Sequence, residues 1–217
     1  MQIDLLPAWW ALHADTLNHL AEVSPKLRLV AVSGFGEIDP VAAEGSEVAE
    51  VASLFAHPLV LAGHSATQQT VLAGLSNAEL FHFSGHATSE TNSAVLISGT
   101  GSGRTALLDA TKLSTVHLQQ CRLAVLAACN TTTTDPDQLE QMTDLRDAFL
   151  LGGAATVIAS SWDVDDQSTR SLMTAFYRDL VSSGSPAHSL QLARQAVAKD
   201  SHWAHPFFWS SFQLYRN

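Results

Sequence analysis

An α/β fold built on a mostly parallel sheet is what three features of this chain predict. Short apolar, β-branched runs recur between longer stretches with helical periodicity. One such run, LAVLAA at 123 to 128, is apolar without a break, the pattern of a central strand covered on both faces. The third is size: 217 residues at 46% hydrophobic content can bury one good core, so a single domain over residues 29–217 is expected. Residues 1–28 read as a helical segment packing on it, although the Trp9, Trp10 and Leu12 cluster could equally serve a neighbouring domain.

The elements follow in order. Leu29 to Ser33 is the first strand. Beyond the turn-rich Gly34 to Pro40, the segment Ala43 to Ala56 sets Val48, Val51, Ala52 and Phe55 at helical spacing, and a short strand follows at Leu59 to Ala62. A helix at Gln68 to Leu75 leads to a third strand, Leu80 to Ser84, which ends at Gly85-His86. Ala94 to Ile97 and Ala106 to Leu108 form a hairpin excursion around Gly99, Gly101 and Gly103. After the run at 123 to 128 comes a polar loop to Gln138, then a helix carrying Leu139, Met142, Leu145 and Phe149 and closed by Gly152-Gly153. Ala155 to Ser161 is another buried strand. The clearest helix carries Leu172, Met173, Phe176, Tyr177 and Leu180 on one stripe, with Gly184 past its end. A further helix starts with Ser185 as cap and Pro186 in its first turn, and Phe207 to Leu214 is expected as the last strand.

Composition removes several classes of function. The formal net charge of −10 repels phosphate backbones and anionic membrane surfaces, so nucleic acid and membrane are not expected partners. No apolar run approaches the roughly 20 residues needed to span a bilayer, and the N-terminus lacks the basic start and apolar stretch of a signal peptide. A soluble, cytoplasmic protein is expected. The two cysteines, Cys121 and Cys129, form no CxxC pair, which argues against a disulfide framework or zinc ribbon.

In an open parallel sheet with right-handed crossovers, the carboxyl ends of the parallel strands share one edge, where active sites form. His86, Cys129 and Asp163 each follow a strand directly, so residues far apart in sequence are expected on one rim. Together they supply a base, a nucleophile and an acid, as a cysteine hydrolase requires. A thiol of ordinary pKa is only a few per cent ionised at neutral pH, and a nearby imidazole raises that fraction or takes the proton during attack. The tetrahedral oxyanion then needs preorganised donors, for which the backbone N–H groups of Cys129 and of Ala87 are suited.

Plainer readings exist for the same residues. A cysteine ending a buried strand can be a small core residue, and Cys121 is assigned that role. His82 and His86 could share a strand face, but no nearby ligand completes a metal set, so neither metal nor organic cofactor is expected. GTGSG lacks the spacing of a phosphate loop, and Gly63-His64-Ser65 is not a GxSxG elbow. The acids Asp163, Asp165 and Asp166 could cap the helix that follows; for Asp165 this is the preferred role.

FHFSGHA at 81 to 87, RLAVLAACNT at 122 to 131, FLLGGAATVIASSWDVDDQSTRSLMTAFYRDL at 149 to 180 and HPFFWSSFQLY at 205 to 215 together resemble the CHAT family. CHAT domains are relatives of separases, caspases and gingipains, often fused to helical repeats in bacterial proteins. The resemblance implies a caspase-like three-layer α/β/α sandwich and a cysteine endopeptidase, with the family histidine at His86 and the nucleophile at Cys129. The WDVDD stretch is similar to a separase pattern in which an acidic residue holds a basic side chain, making Asp163 and Asp166 candidates for binding Arg or Lys before the cut. One departure is Ala87, where the family usually has Gly; a backbone donor survives, with less conformational freedom. The partners so implied are a protein substrate and a regulatory domain or subunit. A catalytically silent scaffold and a nucleotide-binding α/β module are the competing readings.

Overall fold

The computed structural model describes residues 23–34, 46–88, 94–98, 105–128 and 145–216. Six strands form the central sheet in the order β2-β1-β3-β7-β8-β9: β1 (Leu29–Ser33), β2 (Leu59–Leu61), β3 (Leu80–Gly85), β7 (Leu123–Ala128), β8 (Thr156–Ser160) and β9 (Phe212–Arg216). The first five are mutually parallel. β9 runs antiparallel to β8. Two helices, α5 (Asp166–Ser183) and α6 (Pro186–Ala198), intervene between β8 and β9, and the second reverses the direction that a lone crossover helix would give.

The pleat sorts side chains to two faces, and each face has its own core. On β3, Phe81 and Phe83 enter a cluster with Leu126, Phe149, Ile97 and Leu108. This layer holds α2 (Gln68–Leu75), α3 (Ala110–Leu113) and α4 (Leu145–Leu151), together with a second, three-stranded sheet, β4 (Ala87–Thr88), β5 (Ala94–Ser98) and β6 (Thr105–Asp109). On the opposite face Leu80, Leu123 and Val125 meet α1 (Glu47–Ala52), α5 and α6 through Val48, Val51, Leu172, Phe176, Tyr177 and Leu190. Each large apolar side chain so buried contributes about 1.5–3 kcal/mol. The result is a three-layer α/β/α sandwich with a mostly parallel centre and an antiparallel excursion, as the sequence implied.

Local chemistry explains most element boundaries. Asp165 caps α5 by accepting from Ser168 N–H at 2.8 Å, and Gly184 ends it in the left-handed region at φ 68°. Ser185 caps α6, whose first residue is Pro186. Two boundaries depart from expectation by several residues. α1 is capped by Ser46, and its last turn tightens into i→i+3 bonds from Leu54 to Val51 and Phe55 to Ala52, so the helix stops at Ala52 instead of Ala56. The expected strand at Phe207 begins only at Phe212, because Pro206 opens a single 3-10 turn, Pro206–Phe208, that Ser210 N–H bonds back to. The short helix α3, capped by Asp109, had not been expected. Leu139, Met142 and residues 1–22 lie outside the described residues, while Val23 at the edge of the expected N-terminal segment is buried and donates to Gly184 O at 3.1 Å.

Candidate active site

The chain visits β1 and β2 on one side and then β3 on the other, so the sheet changes winding direction between β1 and β3. At such a point the crossovers diverge and leave a crevice outside the carboxyl ends of the strands. β1 and β3 approach very closely there. Gly34 N–H donates to Ser84 O at 2.8 Å, and a Cβ placed on Gly85, whose φ is 155°, would lie 2.8 Å from Gly34 Cα. Glycine at 85 is thus required by space as well as by conformation.

His86 follows Gly85 and is exposed at this edge, the accessibility a proton-transfer group needs. Ala87 enters β4, opposite Val95. In the neighbouring strand Gly85 is in register with Ala128, the last described residue of β7. Cys129, both as nucleophile and as backbone donor, lies outside the described residues.

β8 completes the rim. The buried Ser160 hydroxyl donates to the carbonyl of Ala128, tying β8 to the residue just before Cys129. Sequence reasoning missed this contact: a serine inside a β-branched run carries no signal until the register with β7 is known. Beyond it, Ser161 N–H donates to Ser211 O at 3.0 Å, and Trp162 donates from Nε1 to Phe207 O at 3.1 Å while stacking on the Phe207 ring. The loop carrying the acids is therefore braced from the C-terminal segment. Asp163 and Asp166 are both exposed; Asp166 is the first residue of α5 and Asp165 its cap.

Two residues that invited a functional reading have structural roles. His82 is fully buried, with Nδ1 3.2 Å from the Tyr177 hydroxyl and Nε2 3.0 Å from Glu47 Oε1, a close but off-axis approach. Glu47 lies too far away in sequence for the pairing to have been read there. Burial, reinforced by the Glu47 carboxylate, pushes the Tyr177 hydroxyl well above its ordinary range. Burial likewise pushes the Cys121 thiol up to about 12, which leaves it un-ionised and inert at neutral pH, as its assignment to the core requires. Among the described residues no group of three or more His, Cys, Asp or Glu side chains is placed to hold a metal ion, and no helix is long and apolar enough to cross a membrane.

Comparison with known proteins places the fold. The crystal structure of the Arg-specific cysteine proteinase gingipain R superposes with a TM-score of 0.61 at 14% identity, over 93% of this chain and 50% of that one. A complex of Porphyromonas gingivalis RgpB pro- and mature domains matches with a TM-score of 0.59, also at 14% identity, over 94% of this chain and 51% of that one. The Saccharomyces cerevisiae separase–securin complex matches with a TM-score of 0.60 at 13% identity, over 88% of this chain and 12% of that one. The chain thus spans about half of the gingipain chain and a small part of the separase chain, and at these identities the likeness is one of fold. The search of curated proteins finds no match. The CHAT-domain model matches residues 21–217, nearly the whole sequence, and the chain belongs to the CHAT-domain family.

Proposed function

We propose that this domain is a cysteine endopeptidase in which Cys129 attacks the scissile carbonyl and His86 manages the protons. The observation that supports the reading is the parallel register of β3 and β7: Gly85 pairs with Ala128 at one edge of the sheet, and His86 and Cys129 are the residues that follow these two in sequence. Neighbouring strands are about 4.8 Å apart, within the reach of an imidazole and a thiol. His86 accepts the thiol proton, the thiolate forms a tetrahedral intermediate, and the same imidazole protonates the departing amine. A water, deprotonated by His86, then releases the acyl group and restores the thiol. The backbone N–H groups of Ala87 and Cys129 are assigned to the oxyanion.

Asp163 and Asp166 are assigned to the pocket for the residue before the cut, which makes Arg, and less well Lys, the preferred residue. Support comes from their exposure beyond β8 and from the bracing of their loop by Trp162. A guanidinium fork matches a carboxylate bidentately where an ammonium does not. The substrates are cytoplasmic protein partners, and activity is held in check by a regulatory domain or subunit. Residues 1–28 are assigned to a helical segment packing on the domain. The fold relatives favour such control, since two of them were solved with a pro-domain and with securin.

The test is to compare new protein N-termini produced by the wild type and by Cys129→Ala, His86→Ala, Asp163→Ala and Asp166→Ala. Both dyad variants should lose nearly all cleavage, with little further loss when combined. The pocket variants should weaken the preference for Arg. Turnover surviving in Cys129→Ala would overturn the mechanism, and an Arg preference unchanged in both aspartate variants would overturn the pocket alone.

A further inference from the structure

The outer face of α5 carries a groove unrelated to the strand-end chemistry. It is open, has a volume of about 530 Å³, and is lined by Glu50 of α1, by Gln167, Arg170, Thr174 and Arg178 of α5, and by Trp203 beyond α6. The α5 residues recur at intervals of three and four, so they form one stripe. From Gln167 to Arg178 that stripe is about 16 Å long at 1.5 Å per residue, the span of about five residues of extended peptide.

The charges in the groove are unevenly satisfied. Glu50 is fully engaged, with Arg170 on Oε1 and the Thr174 hydroxyl donating to Oε2 at 2.6 Å, and these contacts hold its carboxyl below the usual range. Arg178 is exposed and makes no hydrogen bond or ion pair with a described residue, although its charge also helps to hold the Glu50 carboxyl down. The lining therefore carries one positive charge in excess, on a chain whose net charge is −10. Arg170 is oriented by its acid and keeps guanidinium donors to spare, since five are available to any Arg. Trp203 walls the groove with a face on which apolar or cationic groups can lie.

We propose that this groove is a docking surface for an acidic, extended segment of a protein partner, whose Asp or Glu carboxylates engage Arg178 and Arg170 while a neighbouring side chain packs on Trp203. Charge complementarity selects the occupant. The chain as a whole repels acidic partners, so a local excess of positive charge favours placement at this stripe. The groove is long, shallow and open, which suits several weak contacts along a peptide and not the enclosure of a small ligand. Its Gln167 end adjoins Asp166, so a partner docked here is led toward the rim; that consequence rests on the peptidase reading, whereas docking itself does not.

The test therefore uses the Cys129→Ala protein, which binds whether or not the wild type cleaves. A random-peptide display library panned on it should enrich Asp- and Glu-rich sequences. The selected peptide should bind about tenfold more weakly to Arg178→Glu and to Trp203→Ala. Its affinity should also fall with salt. Arg178 is exposed and makes no hydrogen bond or ion pair with a described residue, so its substitution leaves folding intact, checked by an unchanged melting temperature. No acidic enrichment, or affinity unchanged in Arg178→Glu, overturns the proposal. Displacement of the peptide by millimolar inorganic phosphate alone would show a general anion site and also overturn it.

Discussion

His82 and His86 lie on one strand and its extension, yet the structure gives them opposite consequences when replaced by alanine. His82→Ala removes the imidazole between Glu47 Oε1 at 3.0 Å and the Tyr177 hydroxyl at 3.2 Å, both in the interior. The Tyr177 hydroxyl left without its partner costs about 1–3 kcal/mol, and the cavity left by a buried ring brings the total to about 3–5 kcal/mol. For a domain of this length each kcal/mol lowers Tm by about 2–4 °C, so the expected drop is roughly 6–20 °C. His86 is exposed, and His86→Ala should change stability by less than about 0.5 kcal/mol. Thermal unfolding followed by circular dichroism reads the first effect, and peptidase assays at a temperature where both variants are folded read the second. His86→Ala should be inactive and stable. The double variant Glu47→Leu, His82→Leu should recover part of the loss, because no orphaned carboxylate remains. A His82→Ala shift below about 2 °C, or a larger shift from His86→Ala than from His82→Ala, would refute the division of roles.

Further outcomes follow from Gly85, Cys121 and Ser160. Gly85→Ala should cost about 1–3 kcal/mol and most of the activity, since the new Cβ meets Gly34 Cα at 2.8 Å and displaces the strand end that carries His86; paired urea titrations and turnover assays would detect it. Cys121 has a raised thiol pKa, so the unfolded chain loses that proton first and the native state binds more protons; stability should therefore fall from pH about 8.5 toward about 12, by up to about 1.4 kcal/mol per unit, and the slope should flatten in Cys121→Ala. The same burial should leave Cys121 unlabelled by iodoacetamide in the native protein at neutral pH, as peptide mass spectrometry can verify. Ser160→Ala frees the Ala128 carbonyl and should lower kcat with little change in KM, and should slow alkylation of Cys129; equal kcat, or a loss confined to KM, would count against a positioning role.

Local sequence pattern was enough for the α/β class and most of the strands, and the resemblance to the CHAT family supplied the three layers and the candidate residues of the rim. Leu123–Ala128 could only be a doubly covered strand, Ser185-Pro186 and Gly184 could only bound helices, and the motifs around His86, Cys129 and Asp163 named the family. These features were legible because periodicity, caps and turn residues act over a few positions. Tertiary structure decided what depends on register and packing between distant segments. It paired His82 with Glu47 and Tyr177, set Ser160 on the carbonyl before Cys129, reversed β9, and aligned Arg170, Arg178 and Trp203 along one groove. A hydrogen bond across the core costs loop closure and burial that only the completed fold supplies, so no local pattern of residues encodes it.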